Sequence, residues 1–148
     1  MEFLAHGPDH LLKDHLRAVG QLSALFSPGP AAPWADLAGR WHDLGKFRPG
    51  FQRYIRLSDD AHIEGRGVSQ RDKSHSAAGA LHSMKQLQAR FGEPGRRAGW
   101  LLAHLIAAHH AGLYDGADLK ERLLGGQGHD SEREYREAEA ACRLSAPE

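Results

Sequence analysis

Eleven histidines in 148 residues is a high number, and their placement matters more than their count. Four positions fall on a helix face or helix end that should point inward: His15, His42 with Asp43, His75, and His109 with His110. A buried polar ring without a partner is costly, so inward histidines need company. One metal centre can serve all of them, because neutral imidazole is the commonest protein ligand for transition metals. His42-Asp43 is the anchor, in the segment Ala38-Gly39-Arg40-Trp41-His42-Asp43-Leu44-Gly45-Lys46. Adjacent helical side chains point about 100° apart, so this pair cannot act as an i, i+4 ligand pair. At a helix end the two can instead flank a site. Asp43, with two oxygens, can bridge two metals, and Lys46 offers a cation for phosphate oxygens.

His75 stands in Lys73-Ser74-His75-Ser76-Ala77-Ala78-Gly79-Ala80. Gly79 shares its helix face, where a missing side chain lets another helix come close. His109-His110 ends a helix ahead of Ala111-Gly112-Leu113. The partial negative charge of a helix C-terminus favours a cation there. For His6, His10, His62, His82 and His129 the reading is packing or exposure, and His104 reads as a core histidine beside the site. Arg96-Arg97 reads as a solvated helix start, Trp34, Trp41 and Trp100 as core, and Cys142 as a small apolar residue.

The elements that must hold these groups are helices. Leu12, Leu16, Val19, Leu22 and Phe26 recur at helical spacing and predict a helix over 9–26, with His15 on the same stripe. A second helix is predicted over 33–44, with Pro33 in its first turn and Gly45 just past its end, and a short one over 50–57. The polar stretch 58–72 has no period and reads as a flexible loop. Helices follow over 73–91, closed by Gly92, over 94–110 with Leu101, Leu102, Leu105, Ile106 and Ala108 as its stripe, and over 117–124. Ala77, Ala80, Leu81, Met84, Leu87 and Phe91 are the inward set of the first of these. The segment 125–148 reads as a weakly anchored, charged tail. No segment alternates as a strand does, so the fold class is all-α, a bundle of about five to seven helices around a metal centre in one domain over 1–148.

The balance of 19 basic and 19 acidic residues leaves no global field to hold nucleic acid, so phosphate contacts must be local. A single cysteine excludes an intrachain disulfide framework and fits a reducing compartment. No apolar run reaches membrane-spanning length and Met1 to His10 lacks a signal-peptide pattern, so the expectation is a cytoplasmic protein.

The ordered series His15, His42-Asp43-Leu44-Gly45-Lys46, His75-Ser76-Ala77-Ala78-Gly79-Ala80 and His109-His110-Ala111-Gly112-Leu113 resembles the HD nuclease domain of the CRISPR-associated helicase–nuclease of type I systems, within the HD phosphohydrolase superfamily. Asp14-His15-Leu16-Arg17-Ala18-Val19 looks like that family's first motif, and Phe47-Arg48-Pro49-Gly50-Phe51-Gln52 is similar to its stretch after the HD pair. The run from Ala107 to Gly116 looks most like type I-C members. The resemblance implies a metal-dependent nuclease fed single-stranded DNA by a helicase domain or subunit and recruited by a CRISPR surveillance complex. It implies His15, His42 and Asp43 as ligands of one metal, with Asp43 bridging to a second held by His75, His109 and His110. One or two divalent ions are expected: manganese, nickel, cobalt, iron or zinc, with magnesium as a further candidate. Asp43 and Lys46 would be the catalytic pair, Lys46 facing the phosphate. Lys46, Arg48, Arg53 and Lys73 are the first nucleic-acid contacts, ahead of Arg56, Arg66 and Arg71. The family normally supplies a further aspartate from a later helix. Asp115, Asp118 and Asp130 follow the His-His pair in loop or capping contexts, so the reading is a domain short of that ligand at its C-terminal end. Two other classes stay open: a nucleotide or cyclic-nucleotide phosphohydrolase, and a catalytically incomplete fragment with a binding role.

Overall fold

The N-terminal residues form a small hairpin ahead of the first helix, contrary to the strand-free expectation. The computed structural model describes residues 2–64, 74–125 and 130–145. Strand β1 (Leu4–His6) pairs antiparallel with β2 (His10–Leu11), His6 opposite His10. Two- and three-residue strands are too short to show a period in sequence. Gly7 turns the chain with φ of +54°, a region that favours glycine. The remaining described elements are helical: α1 (Leu12–Leu25), α2 (Ala32–Trp41), α3 (Pro49–Glu64), α4 (Ser76–Ala108), α5 (Gly116–Leu124) and α6 (Ser131–Ser145). Short 3-10 turns cover Gly29–Ala31 and Leu44–Phe47. The architecture is the expected all-α bundle.

Two helices predicted over 73–91 and 94–110 form the two arms of α4, bent at Gly92, whose φ of 63° and ψ of −137° interrupt the helix. The arms fold against each other: the Ser83 hydroxyl donates to the Gly99 carbonyl at 3.2 Å. The main core gathers Ala80, Leu81, Leu87, Leu102 and Ile106 of α4 with Leu119 and Leu123 of α5 and Tyr135 of α6. A second cluster joins Ala5 of β1, Leu12 and Leu16 of α1, Phe47 and Ala141.

Several boundaries and faces differ from the sequence expectation. The helix predicted to stop at Leu57 runs to Glu64, since Ser58 to Glu64 contains neither Gly nor Pro to end it. The rest of the expected 58–72 loop, and Lys73, lie outside the described residues. The segment 125–148 is not weakly anchored where it is described. Ser131, Glu134, Tyr135, Ala138 and Ala141 of α6 are buried on one face. Small and charged residues made that face look weak, and Arg48 supplies its counter-charge. The Arg48 guanidinium, 2 % exposed, donates to Glu137 at 3.0 Å and to the Ser74 carbonyl at 2.8 Å, with Glu134 at 3.8 Å. Leu22, Phe26, Trp34, Phe91, Leu101 and Leu105, expected inward, are exposed. Helical spacing shows that residues share a face but not how many neighbours cover it.

Three close backbone approaches set the bundle. Gly20 of α1 and Gly39 of α2 touch, so a Cβ on Gly39 would stand 2.7 Å from the Gly20 backbone. Gly79 of α4 lies against Trp41, where a Cβ would overlap the Trp41 carbonyl oxygen. Gly45 is covered by the His75 backbone in the same way. Gly79→Ala is therefore expected to lower stability by about 1–3 kcal/mol through overpacking. Chemical denaturation of the variant measures this; a change near zero would mean that α2 and α4 do not meet as described.

Candidate metal centre

His42 closes α2 and Asp43 steps out of it, with φ of −109° and ψ of 20°. That step defeats the 100° divergence of neighbouring helical side chains, so His42 Nε2 lies 3.0 Å from Asp43 Oδ2. His15 arrives from α1, carried by the Gly20–Gly39 approach. Its Nε2 is 3.1 Å from Asp43 Oδ2 and 3.3 Å from His42 Nε2. His75 caps the start of α4 and His109 its end. Their Nε2 atoms are 3.4 and 3.3 Å from the other oxygen, Oδ1. His110 adds its Nε2 at 2.9 Å from that of His75.

All six ligand candidates thus meet around one carboxylate, with imidazoles split between its two oxygens. Asp43, His75, His109 and His110 offer donor atoms within 4.8 Å of one another, and so do His6, His15 and Asp43. Donors that share one ion at about 2.0–2.2 Å stand about 3–3.5 Å apart, which is the spacing around Asp43.

The hydrogen-bond roles test the fit further. His42 Nδ1 is 2.7 Å from the Gly39 carbonyl, and His109 Nδ1 is 2.6 Å from the Ile106 carbonyl. A carbonyl only accepts, so both Nδ1 atoms carry hydrogen and donate. In a neutral ring Nε2 is then a bare lone pair, and here it faces a carboxylate oxygen. Two lone pairs at that distance repel unless a proton or a metal ion stands between them. Metal-ligating histidines show this same pattern of a second nitrogen donating to a backbone carbonyl. Asp43 Oδ1 is buried and has no hydrogen-bond partner, as expected of an atom reserved for a cation. The C-terminal ends of α2 and α4 both reach the site and favour positive charge there. The residues present fit a divalent metal.

Protons are poor substitutes for such an ion. Burial pushes the His15 imidazole below its ordinary 6.5, only partly offset by Asp43. Burial and neighbouring His109 lower His110 similarly. Burial also works against the charge of Asp43, but the facing His109 and His42 rings, and then the Lys46 ammonium, outweigh it and hold the carboxyl well below the usual range.

Some expected roles change. Lys46, 3 % exposed, donates to Asp43 Oδ2 at 2.8 Å and to the Ala5 carbonyl at 3.3 Å, so it is a buried partner of Asp43 rather than an open phosphate contact. Arg48 is committed to α6 and cannot reach nucleic acid. Arg53 is exposed on α3. His104 bonds back to the Trp100 carbonyl at 2.9 Å, and His82 packs against the rings of Trp41 and Tyr135. Asp115 caps α5, and Asp130 pairs with Arg133. His6, read from sequence as packing or exposed, stands beside His15 with ring centroids 4.9 Å apart. A histidine in a three-residue strand carries no periodic signal that could have marked it.

A family model described as "Cas3, HD domain" matches residues 5–146, nearly the whole chain. No curated protein matches it.

Manganese at about 100 times its Kd should stabilise the folded chain by about 2.7 kcal/mol, a Tm gain of about 5–11 °C at this size. His42→Ala should remove most of the gain. Asp43→Asn should remove all of it and also lower the metal-free Tm, because Lys46 loses a buried partner at a cost of about 3–5 kcal/mol. The gain should also shrink once pH falls through the folded His15 value, which burial holds under the ordinary 6.5. Protons then compete for the lone pairs; separately, the unfolded chain takes up protons that the folded His15 and His110 refuse, which lowers the Tm with or without manganese as pH falls through 6.5. Thermal melts across pH with and without manganese check each point; a pH-independent gain would count against imidazole ligation.

Proposed function

The chain belongs to the Cas3 HD-domain family, and from that premise we propose that it is a cytoplasmic, metal-dependent nuclease that cuts single-stranded DNA in CRISPR interference. The family's role is that of a metal-dependent nuclease in CRISPR systems. One observation carries the reading to this chain: imidazole nitrogens of His15, His42, His75 and His109 face the two oxygens of buried Asp43. When bound there, divalent metals supply an acidified water and neutralise charge on a scissile phosphate. The residues proposed to hold them are His15, His42, Asp43, His75, His109 and His110.

The protein's own part is positioning and charge control. Asp43 stays ionised and fixed because Lys46 donates to one of its oxygens. Lys46 is therefore proposed as a positioning residue. The Gly39 and Ile106 carbonyls hold His42 and His109 in the tautomer that leaves Nε2 available. Nucleic acid would enter from the side of His109 and His110, which lie at the surface while Asp43 is buried. A single strand suits such an entry because it bends and presents its phosphates singly. With a balanced net charge, local cations must hold it. Arg53 and Arg56, both exposed on α3, are the candidates named from sequence whose side chains are described and remain at the surface. Lys73 is kept as a candidate from sequence alone. A helicase domain or subunit and a CRISPR surveillance complex are the proposed partners that deliver the strand.

Circular single-stranded DNA with manganese is the direct assay. The chain should nick and degrade it, and His42→Ala and Asp43→Ala should reduce cutting to background. Arg53→Ala should weaken binding and flatten the dependence of log K on log salt by about 0.7, the value for one phosphate contact on a single strand. Faster turnover of mononucleotides or cyclic nucleotides than of DNA would sink the nuclease reading. Metal binding without any hydrolysis would instead favour a binding role.

A further inference from the structure

We infer that His6, delivered by the N-terminal hairpin, is a ligand of the metal held by His15, His42 and Asp43. This rests on the metal-hydrolase reading above and adds to it a residue that lies outside the helical motifs. The two halves of the site are uneven without it. On the Oδ1 side, His75, His109 and His110 provide three imidazoles, whereas on the Oδ2 side the helices provide only His15 and His42. His6 faces that second side. It offers a ring nitrogen within 4.8 Å of donor atoms of both His15 and Asp43, with its ring edge-on to His15 at 86°.

An exposed histidine on a hairpin usually carries no constraint, but this hairpin is held from several directions. Gln52, itself buried, accepts from the Leu4 amide at 2.9 Å and donates to the Leu4 carbonyl at 2.9 Å. The same Gln52 amide donates to the Lys46 carbonyl at 2.7 Å, tying the strand to the turn that follows Asp43. Lys46 donates to the carbonyl of buried Ala5, the residue before His6. Phe3 packs edge-on against Phe47 with centroids 5.0 Å apart, and the Leu12 amide donates to the Phe3 carbonyl at 2.8 Å. The turn that follows Asp43 and the backbone just ahead of His6 are therefore one connected unit. Lys46 serves both: its ammonium contacts the Asp43 carboxylate and the Ala5 carbonyl together. So much fixation of a short edge makes sense if the side chain at its end must be placed to within a fraction of an ångström. His10, across the hairpin from His6, belongs to neither group of converging donors among the described residues.

Manganese and cobalt titrations of the full chain, followed by calorimetry and by the visible spectrum of bound cobalt, test the assignment. His6→Gln keeps size and polarity but removes the imidazole, and it lies at the surface, so the metal-free Tm should stay at the wild-type value. Loss of one ligand should weaken one binding step at least roughly tenfold, since even hydrogen-bond partners of ligands cost about 10–100-fold when removed. The cobalt spectrum of that step should change while the other step keeps its affinity. His10→Gln should titrate as wild type does. If His6→Gln binds both metals with wild-type affinity and spectrum while Asp43→Asn loses metal, His6 is not a ligand and the metal-hydrolase reading stands. If the wild-type chain binds no metal, both readings fall.

Discussion

A carboxylate withdrawn from water costs several kcal/mol unless positive charge and donors surround it closely. Asp43, 2 % exposed, is such a group, and the surrounding structure is arranged to meet its demand. Lys46 supplies one full charge from the next turn. The remaining contacts are imidazole nitrogens, and backbone carbonyls force at least two of them to point bare lone pairs inward. Such a shell is frustrated with neutral rings alone and satisfied once a cation joins it. The same lone pairs that make the site uncomfortable with neutral rings are those that could hold a metal, so the proposed affinity and the local instability have one origin.

Holding those nitrogens in place falls to contacts well outside the site. The imidazoles come from helix ends separated by up to about a hundred residues of chain, and glycines let those ends approach. Arg48 extends the arrangement. It follows Lys46 by two residues and ties the Ser74 carbonyl, next to His75, to Glu137 on α6. Residues that resembled phosphate contacts because they are cations near the HD pair are in fact internal braces. Removing either is expected to act through packing and the position of Asp43 or His75, not through lost contact with nucleic acid. A cationic surface for the proposed strand would then come from residues farther along, such as Arg53, or from a partner.

The same economy explains why α6, charged and weakly amphipathic, is integral to the domain. Its buried face joins the small residues Ser131, Ala138 and Ala141 to Tyr135 and one carboxylate, Glu134, whose pKa burial raises while Arg48 opposes the shift. Alanines at that face allow the helix to lie close to α4 and to the turn carrying Lys46. Long apolar residues elsewhere, including Leu101 and Leu105, remain at the surface. Hydrophobicity by itself was a poor guide to burial here, and shape was a better one.

Local sequence carried the helical class and singled out His15, His42, Asp43, His75, His109 and His110 as candidates, from residue type, order and helix-end placement, while the family resemblance implied their roles as ligands. Those features are local: helical periodicity is written in neighbouring residues, and histidines at helix ends stand out against apolar stripes. Gly79 was also legible as a point of close approach, because a glycine inside a good helix asks for a packing reason. Tertiary structure alone decided the rest. Whether Lys46 and Arg48 face solvent or a buried carboxylate depends on what packs over them, and a cation reads the same in either place. His6 reaches the centre only through a hairpin too short to leave a pattern, pinned by Gln52 from 48 residues away. Long-range pairing of that kind carries no local periodicity, so only the assembled fold could bring His6 to Asp43.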